Sequence, residues 1–510
     1  MNIFDKTINR IINAAGEWNA QLFRELKGRL NPKNFTLTLL GSFIAQALMI
    51  MIFFAKLPVD SKEGLSNFAQ DYCFNINADC KLDNLGHVIT NWLHWWTDIL
   101  VTISWVLSTI LVVGGLYLLA SDLGREETRG TLNFVRLSPQ SATNIFIGKL
   151  IGVPILIYTA VASILPLQLV AGFNSFGVVN TLVFDGLWLV IAGLFYLGAM
   201  LLMTITPVVP IGLTLFAWWL QSSVGMAMQF AISSSNNNLA NSSHDNTLTW
   251  FYAPVFSSIT NTMLFAILSC GLIGYVVWQM LCRRYVNHND TLIAKKQSYQ
   301  LNAVLQIWLL GWAIPLSIST PHVTKDILGV VGFVEVFFAF ILISTIIPRR
   351  DVLQEWCRQT DLRLRKGFAR WWPDLIWDDR SPAVVALAIN LGMATAVWMI
   401  FGFLQFSPST VWPVAGPILL VLLNCGIAAQ ISASYQLPGF LNRSMVMIVF
   451  AVHVSLFSII GSVVGDQFPD MKIFVALAIE STIVLLSIGL LWRRLQRMGR
   501  SETHKMFKTA

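Results

Sequence analysis

Runs of about 20 apolar residues recur along the whole of this 510-residue chain, a length matched to only one kind of solvent. A helix needs about 20 residues to cross a hydrocarbon layer about 30 Å thick, where it must satisfy its own backbone. Spans are expected near residues 35–55, 93–120, 150–171, 181–204, 208–232, 259–282, 301–319, 328–347, 384–404, 411–433, 445–464 and 473–492. Only Thr206, Pro207 and Pro210 separate the fourth from the fifth. With 55% apolar residues, 12% charged and a mean hydropathy of +0.63, the chain has too little polar surface to clothe a water-soluble fold. The expectation is an all-α polytopic membrane protein with about twelve transmembrane helices.

Its cations orient it, because Lys and Arg are retained on the cytoplasmic side of short loops. With the N-terminus inside, 29 of the 34 basic residues fall in cytoplasmic segments, and only Lys56, Lys62, Lys81, Lys325 and Lys472 fall outside. Both termini are therefore expected in the cytoplasm. The net charge of +7 follows from this topology and from contact with anionic membrane lipid, with no nucleic acid implied. Met1–Arg10 alternates polar and apolar residues, so no cleavable signal is expected and the first span serves as the insertion signal.

Residues 1–34 carry Ile8, Ile11, Ala15, Trp18, Leu22, Leu26 and Leu30 at helical spacing, beside Lys6, Arg10, Arg24, Lys27 and Arg29. Such a segment lies along the inner leaflet as an amphipathic elbow, until Asn31 and Pro32 turn the chain into the membrane. Two six-helix modules follow, 35–285 and 286–510. In the long external loop, Cys73 and Cys80 either close a short disulfide or remain two thiols. A second external segment is rich in Ser and Asn before Trp250, Phe251 and Tyr252, where 248–256 reads as a short aromatic element at the interface. The cytoplasmic loop 348–382 alternates Arg with aromatics such as Trp356, Trp371, Trp372 and Trp377, as an inner-surface segment or a docking surface would.

Four acidic residues fall within expected spans, where charge is expensive: Asp98, Asp185, Glu335 and Glu480. Asp98 and Asp185 lie close enough to an outer end to be solvated, whereas Glu335 and Glu480 lie deeper, within reach of His453 or backbone groups. They are candidate intramembrane polar sites. The histidines have no metal-cage spacing, and no catalytic constellation can be assembled, so neither a metal nor enzyme chemistry is expected.

The most specific string is EETRGTLNFVRLSPQ within the cytoplasmic loop 121–149. Its residues permit a short helix with Glu126 and Gly130 one turn apart on one face, then a break at which Ser138 and Pro139 cap the helix re-entering the membrane. The exposed groups of Glu126, Glu127, Thr131 and Asn133 could dock on a soluble partner. Glu126 or Glu127 followed by Gly130, Thr131 and Leu132, then Pro139, Gln140 and Ser141, then Gly148, Lys149 and Leu150, resembles the permease subunits of type-2 ABC exporters. The elbow string LFRELKGRL, with Phe23, Arg24, Glu25 and Lys27, fits the same resemblance over roughly residues 20–285.

The resemblance implies that this loop couples to an ATP-binding subunit, with Glu126, Glu127, Gly130, Thr131 and Pro139 as coupling residues. The chain holds no GxxxxGK[ST] of its own. No cofactor is then expected on this chain. ATP and Mg would be held by separate ABC ATPase subunits, a second permease copy could complete the assembly, and the bacterial plasma membrane is the expected location. Residues 348–382 carry no Gly-Thr-Leu, so no internal repeat is read. A twelve-helix carrier driven by an ion gradient is the rival reading. Asp122, Gly124 and Arg125 partly resemble the Asp-Arg-Xaa-Gly-Arg loop of major-facilitator proteins, but no basic residue directly follows Asp122.

Overall fold

The computed structural model describes residues 3–58, 72–73, 75–76, 79–80, 88–130, 139–205, 211–223, 249–287, 290–319, 324–364, 372–405, 421–428 and 469–499. The chain divides into two compact units, Met1–Thr247 with Val255–Val286, and Leu248–Pro254 with Asn287–Ala510. In the first unit the helices are α1 (Ile3–Trp18), α2 (Ala20–Arg29), α3 (Pro32–Ala55), α4 (Trp92–Thr128), α5 (Ala142–Gly152), α6 (Ile155–Phe173), α7 (Val178–Ile205), α8 (211–223) and α9 (Ile259–Val286). In the second they are α10 (Lys295–Ser319), α11 (Thr324–Ile346), α12 (Arg350–Leu364), α13 (Trp372–Trp377), α14 (Val384–Gln405), α15 (421–428) and α16 (Pro469–Gly499). The expected span at 445–464 lies outside the described residues.

Six of the described helices are long and apolar enough to cross a membrane: Pro32–Ala55, Trp92–Thr128, Ile155–Phe173, Val178–Thr204, Ile259–Val286 and Val384–Gly402. Their outward faces support that reading. On α3, Leu37, Leu40, Phe43, Ile44, Leu48, Met51 and Ile52 are all exposed, an apolar surface that water would not tolerate and lipid would. Besides apolar packing, α3 and α6 share polar contacts: Ser42 Oγ meets Ser163 Oγ at 2.6 Å, and Gln46 Nε2 donates to the Ser163 carbonyl at 3.3 Å.

The connection between α3 and α4 is not wholly irregular. Asn75–Ile76 and Asp79–Cys80 form a two-residue antiparallel pair, β1 and β2, a small departure from an all-helical chain. Cys73 is disulfide-bonded, while the side chain of Cys80 lies outside the description.

At three of the helix irregularities a carbonyl left without its helical partner finds a donor elsewhere. α4 contains a π-turn at Ile110–Gly114, and the Tyr196 hydroxyl from α7 donates to the Leu111 carbonyl there. Gly115 leaves room for that hydroxyl, which a Cβ would overlap. Between α5 and α6, Pro154 has no N–H for the Leu150 carbonyl, and the Tyr158 hydroxyl supplies one at 3.0 Å. In α10, Pro315 likewise strands the Gly311 carbonyl, which accepts the Phe251 backbone N–H at 2.8 Å.

That last donor comes from a strained turn. Phe251 and Tyr252 both adopt positive φ, 46° and 66°, which bulky residues rarely do. The Trp250 indole fixes the turn by donating to the Trp308 carbonyl at 3.1 Å, in space that Gly311 leaves empty. Gly311→Ala should therefore expel the indole and cost about 1–3 kcal/mol. Thermal unfolding in detergent, compared between Gly311→Ala and Trp250→Phe, checks this, and unchanged melting in both would show the turn to be idle.

In the second unit, Leu342, Ile343 and Ile346 of α11 pack on Ala383 and Leu387 and on α15. Trp356 of the 348–382 loop is buried with Leu353, Leu375, Leu491 and Leu495, so this aromatic is core and not a membrane anchor. Trp377 is exposed and stands edge-on to Tyr299. The sequence around α13 is anchored by Lys295, the first residue of α10 and fully buried. Its Nζ donates to the carbonyls of Leu375 at 2.9 Å and Pro382 at 3.2 Å, and to Ser381 Oγ. Burial pulls this ammonium down to about 8, against the opposing effect of Asp379 and Asp378.

Candidate functional site

The loop residues singled out in the sequence meet the elbow at a corner made by α2, the end of α4 and α5. Asn19 creates the corner by breaking the amphipathic segment in two. Its side chain caps α2 by accepting from the N–H groups of Gln21 at 2.9 Å and Leu22 at 3.1 Å, and its Nδ2 donates to the Asn144 carbonyl at 2.7 Å. α2 then lies directly on α5. A Cβ at Gly148 would sit 2.8 Å from the Leu22 backbone nitrogen, and one at Gly152 would sit 2.5 Å from Glu25 Cβ. The Gly-x-x-x-Gly spacing of GKLIG is what allows two helix backbones to approach so closely.

Between these glycines stands Lys149, its side chain only 3% exposed. Its Nζ lies 2.7 Å from Glu126 Oε2, 3.1 Å from Asp122 Oδ2 and 3.8 Å from Glu25 Oε1. Arg29 pairs with Asp122 and with Glu25 Oε2 at 3.2 Å, and Arg24 reaches Glu126 Oε1 at 2.6 Å. Gln21 Nε2 adds a hydrogen bond to Glu25 at 2.8 Å. The three carboxylates have oxygens within 4.8 Å of one another, a spacing that suits a metal ion, but three side-chain cations already neutralise them.

Several expectations need correcting here. Among the described residues, no separate short helix carries Glu126 and Gly130 on one face. α4 runs on through Asp122 and Glu126 to Thr128, and Gly130, at φ 70°, is the left-handed residue that ends it. Glu126 is not an exposed docking group, because Arg24 and Lys149 enclose it, whereas Glu127 is exposed. The cap of α5 is Ser141, which accepts from Asn144 N at 3.3 Å, with Pro139 exposed two residues earlier. Thr131, Asn133 and Ser138 lie outside the described residues. Of the elbow residues, Glu25 enters the cluster directly, Arg24 from its rim, and Lys27 instead stands 5.5 Å over the Phe23 ring. Sequence reasoning missed Asp122 and Arg29. The signal available was two carboxylates, Asp122 and Glu126, one turn apart at the end of an apolar helix, with a lysine inside the apolar run of the next.

The four acids of the expected spans lie in different environments. Asp98, near the start of α4, is 38% exposed and accepts from the Tyr72 hydroxyl at 2.9 Å. Glu480 is buried on α16. Glu335 is buried on α11, where Gln306 Nε2 at 2.7 Å and Trp398 Nε1 at 3.2 Å both donate to Oε1, while His453 lies outside the described residues. Gln306 continues to Asn302 at 3.0 Å, and Asn390 bonds Ser298 at 3.0 Å, so a polar ladder climbs one face of α10.

Asp185 belongs to a second seam in the first unit. α6 and α7 form an antiparallel hairpin whose turn ends at Gly177, φ 92°, and Gly172 lets Thr181 approach. This sets Gln168 beside Asp185. Gln168 Nε2 donates to Asp185 Oδ1 at 2.8 Å and to Ser104 Oγ of α4 at 3.1 Å. One turn along α4, Gln221 of α8 donates to Ser108 at 3.2 Å and Thr109 at 2.9 Å. Among the described residues, four buried polar atoms on this seam or one turn beyond Asp185 on α7 have no partner: Gln168 Oε1, Asp185 Oδ2, Trp188 Nε1 and Gln221 Oε1. Each such atom costs about 1–3 kcal/mol, so the seam is an expensive feature to keep in an apolar bundle.

No known protein family, curated protein or solved structure matches the chain.

Proposed function

We propose that this chain is the membrane-spanning permease subunit of an ATP-driven transporter of the type-2 ABC exporter class, in the bacterial plasma membrane. In this reading it has about twelve spans and cytoplasmic termini, and is not itself an enzyme. ATP and Mg are held by separate ABC ATPase subunits, and a second permease copy completes the complex. The observation that supports it most is that Lys149, from the Gly-Lys-Leu of the resemblance, lies 2.7 Å from Glu126, from its Glu-Gly-Thr-Leu, with the elbow residue Glu25 in the same cluster. Three stretches picked out by a single resemblance thus share one set of ion pairs.

Mechanistically, closure of the ATPases would press on the loop 121–149, where the resemblance puts the coupling residues, and chiefly on its segment 131–138. The ion cluster would pass that push jointly to α2, α4 and α5. Glu127 and Pro139, exposed on either side of that segment, are the contact residues, and Glu126 holds the corner together.

The test is an affinity purification of the tagged chain from mild detergent, with mass spectrometry and an ATPase assay of what is recovered. A P-loop ATPase whose activity is stimulated by the chain, with stimulation lost in a Glu127→Ala, Gly130→Ala variant that still inserts, is the expected result. A lone chain that carries out ion-gradient-driven flux in liposomes would overturn the reading in favour of a carrier.

A further inference from the structure

We propose that the first unit contains a binding site for the ammonium head of a primary amine, formed by Asp185, Gln168 and Gln221 along the Ser104–Ser108 face of α4. The unpartnered atoms define the ligand's chemistry. Three are acceptors, Gln168 Oε1, Asp185 Oδ2 and Gln221 Oε1, and one is a donor, Trp188 Nε1. Asp185 brings one negative charge, and among the described residues no cation pairs with it. A ligand that answers the three acceptors and the charge carries a positive charge and several N–H donors, and leaves the Trp188 N–H as it is. A primary ammonium has three.

Other cations fit less well. A quaternary ammonium has the charge but no donor, and would leave the acceptors unpaired. A hard metal ion takes about six or more oxygens, more than the unpartnered acceptors supply. The surroundings also suit an alkyl amine, because Ile99, Ile103, Leu107, Ile164 and Ala171 form the apolar cluster around the α4–α6 contact. Gln168 is fully buried and Gln221 nearly so, which places these amides inside the bundle and not at a wetted mouth.

Gln168 and Gln221 are closed off from solvent and Asp185 is half-buried, so an amine that reaches Asp185 needs α4 to shift before the two amides can close on it. The π-turn starting at Ile110, two residues beyond Ser108, is the place on α4 where it can bend. Binding does not rest on the transport reading. Only the role of the amine as cargo rests on it.

The experiment uses the purified full chain in detergent at pH 7, without any ATPase, and calorimetric titration with hexylammonium, hexyltrimethylammonium and hexanol. Saturable binding of hexylammonium, at least tenfold tighter than either of the others, is expected. Asp185→Asn should weaken it at least tenfold while keeping the wild-type melting temperature, because the asparagine carbonyl still accepts from Gln168. Gln221→Leu is the second variant, and decides the matter if Asp185→Asn does not fold; it should weaken hexylammonium severalfold. Equal affinity for the three probes, or hexylammonium binding unchanged in the folded variants, would overturn the site and leave the transport proposal standing.

Discussion

Lys149→Met should destabilise the protein by about 3–5 kcal/mol, because it leaves Glu25, Asp122 and Glu126 crowded together with their most buried cation removed. Arg24→Ala serves as the contrast. Arg24 is 50% exposed, so its loss should cost no more than about 1 kcal/mol although it lies only 2.6 Å from Glu126. Thermal unfolding in one detergent measures both. Adding Asp122→Asn to Lys149→Met removes one of the surplus charges and should restore a large part of the loss. If Lys149→Met melts like the wild type, the carboxylates are screened by water and the corner is not a rigid unit.

The second large effect concerns the seat of α2. Gly148→Ala and Gly152→Ala should each cost about 1–3 kcal/mol, and the double variant should lift α2 from α5. The obstacle at Gly148 is the backbone nitrogen of Leu22, which no side-chain rotation can move aside. Lifting α2 also withdraws Arg24, Glu25 and Arg29 from α4. Hydrogen exchange over Gln21–Leu30 should then accelerate in step with the loss of stability. Gly28→Ala and Gly124→Ala are the controls: nothing lies within 4 Å of either new Cβ, and each helix should gain about 0.5–1 kcal/mol. Slow exchange in the double variant would show that α2 is held by something other than its fit to α5.

The helices were legible in the sequence where the cause is local. Apolar length announces α3, α4, α6, α7, α9 and α14, and Pro32 behind Asn31 starts α3 at its first turn. What escaped depends on distance or on a single residue. The partners in the ion cluster are separated by 93 positions for Arg29 and Asp122 and by 102 for Arg24 and Glu126, and no periodicity links them. The π-turn adds one residue to an apolar run, where the pattern of side chains conceals it. Asn19 sits inside a continuous amphipathic repeat, so the break appears only once its side chain is seen capping α2. Glu126 stands in a polar string that points to an exposed face, although its neighbours in space are Arg24 and Lys149.

The length of α4 has a mechanical consequence. Its 37 residues make a rod about 55 Å long, against a hydrocarbon layer of about 30 Å, so its charged end projects well past the lipid. With the π-turn as fulcrum, the arm from Ile110 to Thr128 is about 27 Å long. A tilt of about 10° there moves Glu126 and the residues beyond it by roughly 5 Å, which is close to the pitch of one helical turn. The same rod passes the unpaired acceptors of Gln168 and Gln221 on the other side of that fulcrum. A small swing at the charged tip and a rearrangement at the polar seam would then be the two ends of one lever.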